Sequence, residues 1–386
     1  MKIGIIGAGA MGSGIAQVAS QAGHEVILTD LSQDVLNASK SKLAKIMNSL
    51  FEKEKITCDE AQNIQSRIIR STSLKDLKDC SLVIEAVVER MDVKNAVFSE
   101  LEGIVSDEAI IASNTSSLSI TSIAKECRVS DRIVGLHFFN PAPLMPLVEI
   151  IPALQTKEEI SSTLSNLMLE WGKSPVIAKD TPGFIVNRVA RPFYSEGLRI
   201  LEEGLADVDT IDSSMRNKGF RMGPFELMDL IGHDVNYAVT ESVFKSFYFD
   251  PRFKPSISQL KLVEAGWLGK KSGHGFYKYE ADGSRSHYKI DSVNDIHDSI
   301  AERIIAMLIN EAADAVFWKI ASIEDIDTAM TKGVNYPKGL LKWADEWGAS
   351  KIINIIDSLQ QHYGDGCYRV SPILREMARS GEKFYN

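Results

Sequence analysis

Lys2-Ile3-Gly4-Ile5-Ile6-Gly7-Ala8-Gly9-Ala10-Met11-Gly12 opens the chain. A short β-prone run leads straight into a G-x-G-x-x-G loop, and an apolar helical pattern follows at Ile15, Ala16, Val18 and Ala19. Such a loop alone is weak evidence. Here a second strand, Glu25-Val26-Ile27-Leu28-Thr29, ends in Asp30, 23 positions after Gly7, the length of one βαβ turn. Gly7 permits the tight turn, Gly9 lets the backbone approach a pyrophosphate, and Gly12 lets helix and strand pack closely. The helix N-terminus offers free N–H groups and positive potential to phosphates. Asp30 would accept hydrogen bonds from ribose hydroxyls. A 2′-phosphate would meet a carboxylate there, and no arginine follows in Leu31-Ser32-Gln33. The pattern predicts a dinucleotide site that favours NAD over NADP.

At 386 residues the chain is too long for one core, so two or three domains are expected. A net charge of −9 with no basic block argues against a nucleic-acid surface. Cys58, Cys80, Cys127 and Cys367 are scattered, with neither a C-x-x-C pair nor a histidine at ligand spacing. They read as reduced thiols of a cytoplasmic protein, with no metal site. No apolar run reaches membrane-spanning length, and the glycine loop begins so early that no signal or transit peptide is expected before it.

Asp34 to Ile69 reads as one or two lysine-rich helices with a solvated face, and Ser81-Leu82-Val83-Ile84-Glu85-Ala86 as a buried parallel strand. Glu89 and Lys94 lie beyond its carboxyl end, where ligands of open α/β sheets bind, although each taken alone reads as a helix-surface charge. A further strand, Ala109 to Ala112, runs into the polar cluster Ser113-Asn114-Thr115-Ser116-Ser117. The strand Arg132 to His137 then leads into Gly135-Leu136-His137-Phe138-Phe139-Asn140-Pro141, and Glu149 follows twelve positions after His137, in Leu147-Val148-Glu149-Ile150-Ile151. The proline-rich segment Pro141 to Pro146 can double the chain back and bring the carboxylate beside the imidazole. An isolated histidine would read as a satisfied core residue. A His–Glu pair next to a dinucleotide loop reads instead as proton-transfer chemistry, because the carboxylate fixes the tautomer and favours the imidazolium. Thr181 and Pro182 are expected as N-cap and first residue of a long helix that marks a domain boundary, with Asn187 on its second turn and Pro192 interrupting it.

With these motifs in order, the chain resembles the 3-hydroxyacyl-CoA dehydrogenase family. The resemblance is carried by the glycine loop with Asp30, Val87 to Lys94, Ser113-Asn114-Thr115-Ser116-Ser117-Leu118, the histidine motif, Glu149, Asp180 to Arg188, and Met222-Gly223-Pro224-Phe225-Glu226-Leu227, spread through most of residues 1 to 280. It implies an α/β Rossmann-type NAD-binding domain (1–180) followed by two all-α helical domains (181–280 and 296–386). It further implies NAD-dependent, reversible oxidation of (S)-3-hydroxyacyl-CoA to 3-oxoacyl-CoA, on a short chain such as 3-hydroxybutyryl. His137 would be the general base and Glu149 its partner. Ser116 would hydrogen-bond the reacting oxygen, and Asn187 would complete the site. Glu89 and Lys94 would sit by the cofactor, Asn140 near the substrate carbonyl, and Lys53 by the CoA phosphates, although Ile46 stands where relatives can carry a polar CoA contact.

Residues 183 to 232 resemble residues 298 to 348. Arg188 and Arg303, Glu196 and Glu311, and Asp212 and Asp327 are 115 positions apart, while Gly223 and Gly339, and Asp229 and Asp345, are 116 apart. The second copy has Glu302 where the first has Asn187, and lacks the Asp-Thr-Pro-Gly-Phe opening, so it is expected to be structural. It could take the place of a partner's helical domain, giving a monomeric pseudo-dimer, or cap the chain of a homodimer. Gly266 to Tyr277 reads as an ordered structural loop that includes His274. A dicarboxylic acyl group such as 3-hydroxyadipyl is the alternative substrate, with Arg191, Arg216 and Arg221 as candidate cations for its far carboxylate. A non-catalytic NAD-binding protein is the alternative outside enzymes.

Overall fold

The structure of the chain, a computed structural model, describes residues 1–286 and 295–385. It divides into two units, Met1–Phe184 and Ile185–Asn386. In the first, strands β1 (Lys2–Ile6), β2 (Glu25–Thr29), β3 (Ile68–Ser71), β4 (Leu82–Glu85), β5 (Ile110–Ser113), β6 (Ile133–Phe138), β7 (Leu147–Pro152) and β8 (Ser174–Ile177) form one sheet. Their order is β3-β2-β1-β4-β5-β6-β7-β8. The strands from β3 through β6 are parallel, β7 runs antiparallel to β6, and β8 is parallel to β7. Helices α1 (Ala10–Gln21), α2 (Gln33–Glu52), α3 (Cys58–Ser66), α4 (Met91–Glu102), α5 (Ile120–Lys125) and α6 (Glu158–Glu170) complete this unit.

The central strands carry near-continuous apolar runs because both faces are covered. Ile3, Ile5, Val26, Leu28, Ile84 and Val134 are fully enclosed. The strand order reverses between β1 and β4, which opens a crevice at the carboxyl ends of the parallel strands. The proline-rich segment after β6 turns the chain back as β7, and the register sets His137 directly opposite Glu149.

The second unit contains α7 (Val186–Val189), α8 (Arg191–Glu202), α9 (Val208–Asn217), α10 (Pro224–Ile231), α11 (His233–Ser246) and α12 (Ile257–Glu264). It continues with α13 (Asp295–Phe317), α14 (Ile323–Gly333), α15 (Leu340–Trp347), α16 (Ala349–Tyr363) and α17 (Pro372–Ser380). Helix α13 is enclosed on every side from Arg303 to Ala315 and packs against helices of both repeats, including α8, α9, α15, α16 and α17. A helix buried all round is the axis of a core, not a surface element. The helix expected at Thr181 starts later. Gly183 (φ 73°) and Phe184 (φ 46°) are in the left-handed region, which a right-handed helix cannot include, so α7 begins at Val186 with Ile185 as its N-cap. Thr181 is therefore not a cap, and Asn187 lies on the first helical turn instead of the second. Pro192 sits at the start of α8, just past the break at Ala190.

The duplication is visible bond by bond. Asp212 accepts from the Phe225 and Glu226 N–H groups and the Tyr277 hydroxyl, at 2.9, 3.0 and 2.8 Å. Asp327 accepts from the Leu341 and Lys342 N–H groups and the Tyr385 hydroxyl, at 2.8, 3.1 and 3.0 Å. Asp229 takes the N–H groups of Phe276 and Tyr277, and Asp345 those of Phe384 and Tyr385. The glycine-rich loop from Gly266 thus docks its end on Asp229, while His274 stacks on Trp267 at 3.8 Å. The polar stretch Ala281 to Ser286 makes a turn closed by Glu280 N–H to Ser284 O. Residue 386, the end of the third expected segment, lies outside the described residues.

The copies are also cross-linked. Arg188 Nε donates to Glu311 Oε1 at 2.7 Å, and its repeat equivalent, Arg303 Nε, donates to Glu196 Oε2 at 2.8 Å. All four residues are buried. This is an isologous exchange, in which residue i of one half meets residue j of the other and the reverse also holds. Removing one member strands a buried charge, which costs about 3–5 kcal/mol, whereas replacing both by apolar groups costs much less. Arg303→Met should therefore lower the unfolding free energy read from urea melts by that order, and Arg303→Met with Glu196→Met should recover part of the loss. Equal destabilisation by the single and double variants would remove the pair from the stability argument.

Candidate active site

The glycine loop follows β1 directly. Gly7 N–H donates to Thr29 O at 2.8 Å, and Gly9 is the N-cap of α1 with no side chain capping its first N–H groups. A Cβ on Gly12 would stand 1.8 Å from the Gly7 carbonyl oxygen, so only glycine allows α1 to meet the loop. A Cβ on Gly9 would meet nothing within 4 Å, which leaves open space over the uncapped helix end. That is a cradle suited to a diphosphate. Asp30, at the end of β2, braces the loop: Oδ2 accepts from Ala8 N–H at 2.8 Å and Oδ1 from Ser32 N–H at 3.0 Å. These residues fit a bound dinucleotide, because free N–H donors, a close backbone approach and an oriented carboxylate converge there.

The end of β4 holds a charge cluster whose centre, Glu85, the sequence reading did not single out. Glu85 is fully buried; its Oε1 accepts from Lys94 Nζ and Val87 N–H, both at 2.7 Å, and its Oε2 from Ser113 Oγ at 2.6 Å. Lys94 is buried too and lies 3.3 Å from Glu89, so neither Lys94 nor Glu89 is the free helix-surface charge that each suggests in isolation. Glu89 Oε1 gathers the hydroxyl cluster, accepting from Thr115 Oγ1 at 2.6 Å, Ser116 N–H at 3.0 Å and Ser117 Oγ at 3.1 Å. The one available signal was a glutamate inside the apolar run Leu82-Val83-Ile84-Glu85. Asn114 is a second unforeseen tie, its Oδ1 accepting from Phe138 N–H at 2.8 Å, next to His137. Asp180 is a third: it caps α5 through Ser119 Oγ, Ile120 N–H and Thr121 N–H.

His137 Nδ1 lies 2.7 Å from Glu149 Oε2, and both side chains are buried. An ionised carboxylate only accepts, so Nδ1 carries the hydrogen and Nε2 presents its lone pair. Phe139 and Phe184 flank the imidazole at ring distances of 4.5 and 6.0 Å. The turn after β6 lies on α1, since a Cβ on Gly14 would stand 3.2 Å from Ala142 Cβ and Pro143 Cδ. The imidazole strand and the glycine-loop helix are thereby fixed to one another. Gly7, Asp30, Glu85, the hydroxyl cluster and His137 all sit at or just past carboxyl ends of parallel strands.

Two of the expected residues, Asn140 and Lys53, are not drawn into this network. Asn140 is exposed beyond β6, Lys53 is exposed at the C-terminal end of α2, and Asn187 belongs to α7 of the other unit. Among the described residues, no group of His, Cys, Asp and Glu could hold a metal ion, and no helix is long and apolar enough to cross a membrane.

Burial pushes the Glu89 carboxyl up, but Lys94 and the hydrogen bonds from Thr115, Ser116 and Ser117 outweigh it and hold the group below its ordinary range. A depressed folded value means that its contribution is present above the unfolded value, about 4.3, and is lost as pH falls through the lower folded value. Urea midpoints of wild type and Glu89→Gln should differ at pH 7 and converge toward pH 3. A constant gap would show that the charge of Glu89 is not what stabilises the cluster.

Comparison with known proteins gives a consistent answer. Residues 2–181 match the sequence model described as 3-hydroxyacyl-CoA dehydrogenase, NAD binding domain. Residues 183–279 and 300–384 match that of the C-terminal domain of the same family. The chain is 38% identical to the 3-hydroxyadipyl-CoA dehydrogenase of Escherichia coli K12, over 97% of both chains. It is 42% identical to the human mitochondrial hydroxyacyl-coenzyme A dehydrogenase, over 72% of this chain and 90% of that one. A crystal structure titled 3-hydroxybutyryl-CoA dehydrogenase from E. coli K12 superposes with a TM-score of 0.91 at 38% identity, covering 99% of each chain.

Proposed function

The chain belongs to the 3-hydroxyacyl-CoA dehydrogenase family, and from that premise we propose a residue-level mechanism for its NAD-dependent oxidation of the C3 hydroxyl of (S)-3-hydroxyacyl-CoA to the 3-oxo group. The observation that carries it is the buried 2.7 Å contact between His137 Nδ1 and Glu149 Oε2. When bound, NAD accepts the hydride that leaves C3. His137 Nε2 takes the hydroxyl proton as the hydride departs, which avoids both a free alkoxide and a protonated ketone. Glu149 holds the ring in the tautomer that leaves Nε2 basic and balances the imidazolium that forms. Ser116 and Asn187 would hydrogen-bond the reacting oxygen, and Asn140 would lie by the thioester carbonyl. Gly7, Gly9, Gly12 and Asp30 hold the dinucleotide. Glu89 and Lys94 would sit by the cofactor, and Lys53 would meet the CoA phosphates. In the reverse direction the protonated His137 returns the proton, so the same site serves reduction.

The acyl chain is short, such as 3-hydroxybutyryl. A dicarboxylic chain is the second reading, favoured by the buried and unpaired guanidinium of Arg191. The crossed Arg–Glu pairs support a second helical copy that stands in for a partner's domain, so we take the chain to be a monomeric pseudo-dimer. Sedimentation should then give a particle of 42.7 kDa, and a stable particle of twice that mass would favour the homodimer. Free thiols at all four cysteines support a cytoplasmic setting.

The test follows NADH absorbance with acetoacetyl-CoA. Wild type should turn over, and His137→Gln should lose on the order of 10²–10⁴-fold in kcat. Glu149→Gln should lose rate while NADH affinity holds. NADH binding without turnover of any 3-oxoacyl-CoA would make the chain a binding protein and sink the mechanism.

A further inference from the structure

Glu85 closes an apolar strand and is fully enclosed. A carboxylate withdrawn from water is costly unless it is paired and hydrogen-bonded, so its place in the sheet calls for a reason. The register sets Glu85 between Ile6, the last residue of β1, and Ser113, the last residue of β5. The glycine loop leaves from the first neighbour and the hydroxyl cluster from the second. The Glu85 carbonyl accepts from Asn114 N–H at 2.8 Å. The next carbonyl, that of Ala86, supports the loop, since a Cβ on Gly7 would stand 2.6 Å from it.

Two routes run from the Glu85 side chain to Thr115 and Ser116. In one, Oε2 accepts from Ser113 Oγ at 2.6 Å, and Ser113 Oγ accepts from Thr115 N–H at 3.2 Å. In the other, Oε1 accepts from Lys94 Nζ at 2.7 Å, and Lys94 Nζ stands 3.3 Å from Glu89 Oε2. Glu89 Oε1 then takes Thr115 Oγ1 and Ser116 N–H. Glu85, Lys94, Ser113 and Thr115 are buried, whereas Ser116 is half-buried and Glu89 exposed. The anchor is dry and the far end of each route reaches the open crevice.

We infer that Glu85 is a positioning residue for the reaction: it holds Lys94 back from Glu89 and so sets the place of Ser116. The inference rests on the reading above, in which Ser116 hydrogen-bonds the reacting oxygen. Of the two carboxylates beside Lys94, Glu85 is the nearer. Without its charge the ammonium is left to Glu89, closes on it and competes with Thr115, Ser116 and Ser117 for the same carboxylate. Ser113 loses its charged acceptor at the same time. A neutral side chain at this position would serve the sheet equally well, so the charge is needed to balance Lys94. A misplacement of about 1 Å at a reacting centre can cost about 10²-fold in rate.

The test is a double-variant cycle on the full chain, read as kcat for acetoacetyl-CoA reduction at saturating NADH. Glu85→Gln should lose about 10- to 10²-fold, and Ser116→Ala on the order of 10²-fold. Glu85→Gln added to Ser116→Ala should cost less than about two-fold more, because a residue that acts through Ser116 then has nothing left to position. A purely structural role would carry the Glu85→Gln loss undiminished into the Ser116→Ala background. That result, or full rate in Glu85→Gln, overturns the inference while the dehydrogenase reading stands. If Glu85→Gln does not fold, Ser113→Ala takes its place, cutting one route and keeping the buried ion pair. Its loss should be severalfold, and again absent in the Ser116→Ala background. Wild-type rate in Ser116→Ala withdraws Ser116 from the mechanism and the inference with it. Absence of turnover with every 3-oxoacyl-CoA overturns the inference together with the dehydrogenase reading.

Discussion

A charge withdrawn from water has to be met by another charge or by several hydrogen bonds, and this chain is organised by that requirement. His137 meets Glu149, Lys94 meets Glu85 and Glu89, Arg188 meets Glu311, and Arg303 meets Glu196. Each pair ties two separate elements: a strand to the strand that reverses it, a helix to a strand end, one repeat to the other. Apolar burial supplies most of the drive to fold, but it is non-directional. The paired charges are directional, and they fix which strand end faces which loop.

Local pattern carried much of the architecture. The glycine loop, the parallel strands and the His137–Glu149 pairing could be read because each depends on neighbours in sequence: a turn that needs glycine, a buried run of β-branched residues, a proline-rich reversal that sets twelve positions between two side chains. The repeat was legible because identical offsets recur through Arg188, Glu196 and Asp212. What stayed hidden depends on partners far along the chain. Glu85 and Lys94 are nine residues apart, but the hydroxyls that complete their cluster come from the last residue of β5 and the turn after it. Thr181 carries every local mark of a helix cap, yet two left-handed residues postpone the helix to Val186. Capping chemistry at one residue cannot foresee backbone conformation three residues on.

The two helical copies share a scaffold and differ at their entrances. Asp212 and Asp327 tie the same hydrogen-bonded corner in each. Where the first copy presents Asn187 on its opening turn, the second has Glu302, bonded to Lys351 at 2.6 Å. An ion pair at the surface contributes little to stability, so that position has become ordinary solvated helix while the buried corner is retained.

The crossed arginine–glutamate exchange also bears on how such a molecule can change. Between two identical subunits, any substitution at the interface is made twice, on both sides of the axis at once, and must suit both. Within one continuous chain each side is encoded separately. Arg188 also meets Asp314, which it shares with Arg252, while Arg303 also meets Glu203 and Tyr368. The joint is not symmetric in its outer contacts, and a single mutation can adjust one edge of it while the other keeps the halves together.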